Sequence, residues 1–377
     1  MSPRASSDRC RAARLRSFAV SYWPVVVPVV AAVALALVWG RSLSGWQVGL
    51  AGCALAGAVL AAVHHAEVIA HRVGEPFGSL VLALAVTVIE VALIVTLMAD
   101  GGDKSATLAR DTVFAALMIT CNGIVGLCLL VGALRRRVAV FNAEGTGAAF
   151  GAVATLAGLS LVLPTFTTTA PGPRFSPAQL VFAALAALIL YGLFVATQTV
   201  RHRDYFLPVT AEGEVIDTDD HAEPPSARAA LSSLGLLFVA LVAVVGLAKS
   251  VSPAIESAVA AAGLPASVVG VVIALLVLLP ESIAAVRAAR GDRVQTSLNL
   301  GLGSAMASIG LTIPAVAVAS LWLNGPLVLG LGATHMVLLA LTVAVGTLTV
   351  IPGRATPLQG GVHLSLLAAY IVLAVSP

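Results

Sequence analysis

Charged residues are scarce in this sequence. Asp, Glu, Lys and Arg make up 10% of its 377 residues, against 59% that are hydrophobic. Soluble domains carry about 25% charged residues, so a water-soluble globular protein is excluded. Cysteine is sparse too. Cys10, Cys53, Cys121 and Cys128 form no CxxC pair, which excludes a disulfide framework or zinc knuckle. Cys121 and Cys128 share a helix face and read as packing. There is no HExxH, P-loop or dinucleotide fingerprint, so neither ATP nor a redox cofactor is implied. The net charge of +3 is small, and no nucleic-acid partner is expected.

What is abundant is apolar sequence. Runs near the ~20 residues that cross a bilayer recur along the whole chain and lack the period-two alternation of a barrel strand. They predict an all-α polytopic membrane protein with helices at 24–40, 46–66, 76–98, 111–134, 146–164, 177–199, 229–250, 264–286, 295–322, 327–350 and 360–376. Lys and Arg segregate about these spans. Arg4, Arg9, Arg11, Arg14, Arg16, Arg72, Arg135, Arg136, Arg137, Arg201, Arg203, Arg228, Arg287, Arg290, Arg293 and Arg354 fall on one side. Arg41, Lys104, Arg110, Arg174 and Lys249 fall on the other. Positive charge favours the cytoplasm, which predicts a cytoplasmic N-terminus, an external C-terminus and residence in the bacterial inner membrane. The basic start is read as an anchor before a first membrane helix, not as a cleaved leader.

Two segments resemble each other. GEPFGSLVLALAVTVIEVALIVTL starts at Gly74 and GLPASVVGVVIALLVLLPESIAAV at Gly263, each with a nearby proline and one Glu deep in the apolar run. The helices that follow also align: Thr112 falls on Thr296, Thr120 on Ser304 and Gly126 on Gly310. The segments are the third and eighth spans, an odd step of five, which makes them inverted repeats, a plan that puts substrate sites at the repeat interface. The expected architecture is residues 1–45 as a cytoplasmic N-terminus and extra first helix, 46–200 and 229–377 as two inverted five-helix repeats, and 201–228 as an acidic cytoplasmic linker. The linker carries Asp204, Glu212, Glu214, Asp217, Asp219, Asp220 and Glu223 and reads as a solvated tether.

Of eighteen acids, only Glu90 and Glu281 fall well inside the predicted spans. A charge at the bilayer centre costs at least about 2.5–3.5 kcal/mol. No Lys or Arg lies mid-span to pair with them, so the countercharge must be a proton or a bound cation. Paired carboxylates suit calcium, which takes oxygen ligands. They equally suit protons, since burial and a nearby like charge favour the neutral carboxyl. Pro280 removes a helix N–H and is expected to disturb the helix, freeing carbonyls near residues 276–278. Thr120, Asn122, Asn299, Ser304 and Ser308 on the following helices are candidate lining residues, and Asp111 and Gln295 are expected to cap helix starts. His64, His65, Glu67, His71 and Glu75 are placed at a polar cytoplasmic turn.

The segments GEPFGSLVLALAVTVIEVALI and LLPESIAAVRAARGDRVQTSLNLGLGSAMASIGLTIPA strongly resemble bacterial calcium/proton antiporters of the cation/calcium exchanger superfamily. The likeness covers nearly the whole chain. It implies exchange of cations against protons across the lipid bilayer, with the family's two essential acids carried onto Glu90 and Glu281. Many relatives hold Gly-Asn three to four residues before each acid, where this chain has Val86–Thr87 and Val277–Leu278. Calcium therefore shares the candidacy with sodium and potassium. Three rivals are a sodium-driven calcium exchanger on the same architecture, a passive channel, and an intramembrane serine hydrolase built from Gly303-Ser304 with His335. The last leaves Glu90 and Glu281 unexplained.

Overall fold

The computed structural model describes residues 22–41, 43–74, 77–101, 106–209, 225–323 and 325–376. Eleven helices run through them: α1 Tyr22–Val38, α2 Gly45–Val73, α3 Phe77–Gly101, α4 Leu108–Arg136, α5 Ala143–Phe166, α6 Pro177–Arg201, α7 Ala227–Ala261, α8 Ser267–Arg290, α9 Val294–Ala319, α10 Ala333–Val350 and α11 Pro357–Val375. Nine of these are long and apolar enough to cross a bilayer; α1 and the apolar stretch of α3 are shorter. The fold is thus an eleven-helix membrane bundle, one extra N-terminal helix followed by two five-helix sets.

The inter-helix connections sort into two ends, as alternating crossings require. At one end the Arg135 guanidinium donates to the Arg290 carbonyl, and Arg136 pairs with Asp292 at 2.5 Å. At the same end a two-residue strand, β1 (Ala139–Val140), pairs antiparallel with β2 (Arg354–Ala355). At the other end Val328 N–H donates to the Ala106 carbonyl, Arg110 donates to the Gly330 carbonyl, and Leu331 N–H donates to the Leu161 carbonyl. The basic loops are therefore together, at the end opposite Arg110 and Arg174.

Local signals account for several helix starts. Ser176 and Thr356 each precede a proline and form a capping box with Gln179 and Gln359. A proline at the first helical position sacrifices no hydrogen bond. The shared Ser/Thr-Pro-x-Gln start aligns α6 with α11 and adds to the internal repeat. Helix pairing follows the same symmetry: α2 packs along α7, α6 on α9, and α4 on α11. In lipid such contacts rest on close packing more than on hydrophobic transfer. α4 is the most enclosed span, with every residue from 111 to 122 buried.

Several expectations are corrected. α2 continues to Val73, because nothing in HHAEVIAHRV breaks a helix before Gly74, whose φ is +76°. His64, His65, Glu67 and His71 thus lie on a helix, with His65 Nε2 2.8 Å from the Pro24 carbonyl; Glu75 lies outside the described residues. α7 runs through Pro253 to Ala261, so Glu256 sits within a helix rather than beyond one. α9 ends at Ala319 and α10 begins only at Ala333. α8 stays helical through Pro280, and the Leu278 carbonyl accepts from Ser282 Oγ. The departures from regular helix lie elsewhere, in π-helical turns at Ile119–Ile124, Gly158–Val162 and Thr197–Arg201. Asp111 and Gln295 do not cap: the caps are Thr107 and Arg293. The linker's beginning is packed rather than solvated, with Phe206 buried and its carbonyl accepting from Asn299 Nδ2 at 2.7 Å. Residues 210–224 lie outside the described residues.

Candidate functional site

Helical spacing brings four helices around one cavity of about 190 Å³. α3 contributes Ala83, Val86, Thr87 and Glu90, which are i, i+3, i+4 and i+7 on one face. α8 contributes Glu281; α6 contributes Tyr191, Phe194, Val195, Gln198 and Thr199; α9 supplies Thr296, Asn299, Leu300, Gly303, Ser304, Ala307 and Ser308. The two acids that the sequence singles out therefore meet the same space.

Their surroundings differ. Glu90 is 4% exposed, and its Oε1 accepts from Ser308 Oγ at 2.6 Å. A hydrogen bond this short is in the range of charge-assisted O–H···O⁻ bonds. Glu281 Oε2 is buried and has no hydrogen-bond partner among the described residues. The repeat explains the asymmetry. The register that puts Thr120 on Ser304 puts Ile124 on Ser308, so Glu281 has no hydroxyl from the equivalent position. An unpartnered buried carboxyl oxygen is costly, and a proton or cation at the cavity would satisfy it. Among the described residues no three His, Cys, Asp or Glu side chains converge. Side-chain oxygens at the cavity come instead from the two carboxylates, the hydroxyls of Ser304, Ser308, Thr296, Thr199 and Tyr191, and the amide of Gln198. Thr87 Oγ1 already donates to the Ala83 carbonyl, and Asn299 is engaged with Gln295 and Phe206.

Access is one-sided. On α9, Thr296, Asn299, Leu300, Gly303 and Ser304 are half-buried, whereas Ala307 and Ser308 are buried. On α6, Val195, Gln198 and Thr199 are half-buried, whereas Tyr191 and Phe194 are buried. Exposure thus fades from the end near Arg201 and Arg293 towards the acids. The equivalent stretch of α4 has no such accessible stripe.

Of the expected lining residues, Val86, Thr87, Asn299 and Ser304 line the cavity with Glu90 and Glu281; Thr120, Asn122, Val277 and Leu278 do not. Thr120 Oγ1 donates to the Ala116 carbonyl. Asn122 joins a separate buried cluster with Thr342 and His363. Val277 and Leu278 pack at 2% exposure. The reason is that only one member of each repeat pair faces the open side. His335 packs against Phe114 with tilted rings, centroids 4.8 Å apart, and does not line the cavity with Ser304. The α6 wall, with Gln198 and Thr199, escaped the sequence reading; its polar pair near the end of an apolar helix was the available signal.

Known proteins share this architecture. The sodium/calcium exchanger protein family matches residues 43–200 and 232–376. The chain is 46% identical to y4hA of Sinorhizobium fredii over 97% of its length and 99% of that protein. It is 35% identical to the sodium-potassium/proton antiporter ChaA of Escherichia coli, covering 92% of this chain and 94% of that one. The crystal structure of the H+/Ca2+ exchanger CAX superposes with a TM-score of 0.66 at 16% identity, over 96% of this chain and 92% of that one. That likeness shows the fold. A transporter's assignment also removes the hydrolase alternative. A helix-lined cavity holding two carboxylates, within a fold matched in both of its halves, places the chain in the sodium/calcium exchanger family of cation exchangers.

Proposed function

We propose that this chain is a cation/proton antiporter working by alternating access, with Glu90 and Glu281 holding either the cation or protons. The observation that carries the reading is the shared cavity: two acids, one from each repeat, Glu90 buried and Glu281 half-buried, with no cation from the described protein lining it. Two carboxylates carry a charge of −2 when ionised. One calcium ion or two protons neutralise it equally, so calcium against protons is the exchange this site fits best. Carboxylate and hydroxyl oxygens are the donors calcium takes. The division into repeats at 46–200 and 229–377 is supported by the two matched stretches and by the paired packing of their helices.

Sodium or potassium exchange is the second reading. It is favoured by the apolar Val86 in the cavity wall and by the name of the Escherichia coli relative. Clustering of the basic loops at the cavity's open end supports a cytoplasm-facing state in the inner membrane, with the N-terminus inside and the C-terminus outside. The test is transport by purified protein in liposomes with an imposed pH gradient, supplying calcium, sodium and potassium separately. Calcium movement driven by the gradient supports the first reading, and sodium or potassium movement without calcium the second. Absence of all three would refute the antiporter.

A further inference from the structure

The end of the bundle that holds the basic loops carries more positive charge than its own structure uses. The turns after α4, α8 and α10 meet there. The Arg135 guanidinium donates to the Arg290 carbonyl, Arg136 pairs with Asp292, and β1 pairs with β2. A Cβ added at Gly132 would lie 2.8 Å from Val294 Cγ2, so the start of α9 sits against the end of α4. Arg135 and Arg136 are thus engaged within the protein. Arg137, Arg290, Arg293 and Arg354 are exposed and have no acidic partner among the described residues.

The backbone is strained where these side chains gather. Among the described residues only Arg137 and Asp292 are non-glycine residues with positive φ, at +68° and +66°. Both lie in this cluster. Arg137 directly follows the last residue of α4, a place where a left-handed residue is usually glycine. Aspartate visits that region, and arginine does so at a cost. Strain of this kind persists where function holds it. Orientation in the membrane calls for basic residues near this end, but neither for their convergence nor for a strained arginine. Apolar side chains lie just to the membrane side of the cluster. Leu134, in the last turn of α4, is 69% exposed, and Leu358, in the first turn of α11, is 72% exposed. α4 and α11 pack along each other. A ligand for this surface has an anionic group for the turns and a hydrocarbon body for the helices.

We propose that this cluster is a binding site for an acidic phospholipid, its phosphate held by Arg137, Arg290, Arg293 and Arg354 and its acyl chains lying over Leu134 and Leu358. Arginine suits a phosphate because its N–H donors bind in pairs. Arg293 also stands at the open end of the cavity, so the lipid phosphate offsets a positive charge where a cation enters. The site does not depend on which ion is carried, and its test needs no transport.

The experiment uses the full chain in detergent. Retained lipid is counted by native mass spectrometry, and thermal unfolding is followed in parallel. Phosphatidylglycerol is compared with phosphatidylcholine at equal concentration, and the parent should retain the acidic lipid preferentially. Arg137→Gln and Arg354→Gln should each lower that retention about fivefold, the equivalent of about 1 kcal/mol for one basic residue near an anionic surface. Arg228→Gln, exposed at the start of α7, should leave it unchanged. Arg137→Gly separates charge from backbone. It relieves the left-handed strain, so without lipid it should unfold at a higher temperature than the parent, yet it should lose the stabilisation that phosphatidylglycerol gives. Equal retention of the two lipids by the parent overturns the site. So does a loss in Arg228→Gln as large as in Arg137→Gln, because general attraction of basic loops to anionic lipid is not a site. Displacement of phosphatidylglycerol by an equal concentration of glycerol 3-phosphate would refute the lipid in favour of a free phosphate. Retention that appears only after 212–223 is replaced by a neutral segment would refute it in favour of the acidic linker.

Discussion

Replacing Ser308 by alanine tests the difference between the two acids. The substitution removes one oxygen, at a site 2% exposed, whose partner Glu90 is 4% exposed and 2.6 Å away. Hydrogen bonds to charged groups contribute about 1.5–3 kcal/mol. The bond is made to an acceptor carboxylate, and donation to the charged form favours it. Without the hydroxyl, protons compete more strongly for Glu90, and the cation loses ground at every pH where the two compete. If the whole of the lower figure is expressed in binding, the half-saturating cation concentration rises by about tenfold. The deletion leaves a small void, and water entering it would reduce the effect. The assay is cation uptake into liposomes against cation concentration, at several pH values with both faces clamped. The rise should be largest at acidic pH and shrink as the medium becomes alkaline, where proton competition disappears. Ser308→Thr, which keeps the hydroxyl, should stay near the parent. An unchanged half-saturating concentration at acidic pH would refute the claim that this bond supports the ionised carboxylate.

Glu90→Gln and Glu281→Gln should each abolish proton-coupled exchange while the protein still inserts and elutes as a folded species, because Gln keeps the volume but cannot titrate; near-parental exchange in either would remove that acid from the mechanism. Acidifying the cavity's side at fixed cation concentration should lower exchange steeply, since protonation neutralises the carboxylates that the cation needs and the two titrate as a coupled pair; an apparent affinity independent of pH would contradict this. Replacing 212–223 by a neutral Gly/Ser segment of equal length should leave turnover intact, as this acidic stretch has too few apolar residues to join the core; complete loss of exchange in an inserted variant would show otherwise. That prediction stops short of Phe206, which the bundle buries.

Sequence alone determined the membrane class, the eleven spans and the two acids. Each follows from local physics: apolar runs of bilayer length, segregated arginines, and two carboxylates deep in apolar runs where a charge is costly. It also placed Val86, Thr87, Asn299 and Ser304 on the right helices. Tertiary structure alone decided which half of each repeat pair meets the cavity. A repeat in sequence is symmetric by construction, so Thr120 and Ser304 looked equivalent, as did Leu278 and Thr87. One conformation of a two-faced bundle breaks that symmetry: α9 presents its polar face to open space while α4 is sealed. Helix continuation through Pro253 and Pro280 was likewise a matter of neighbours, because packing holds a helix together where propensity would end it. The Asn122–His363 bond joins residues 241 positions apart, and no periodicity within either helix encodes that meeting.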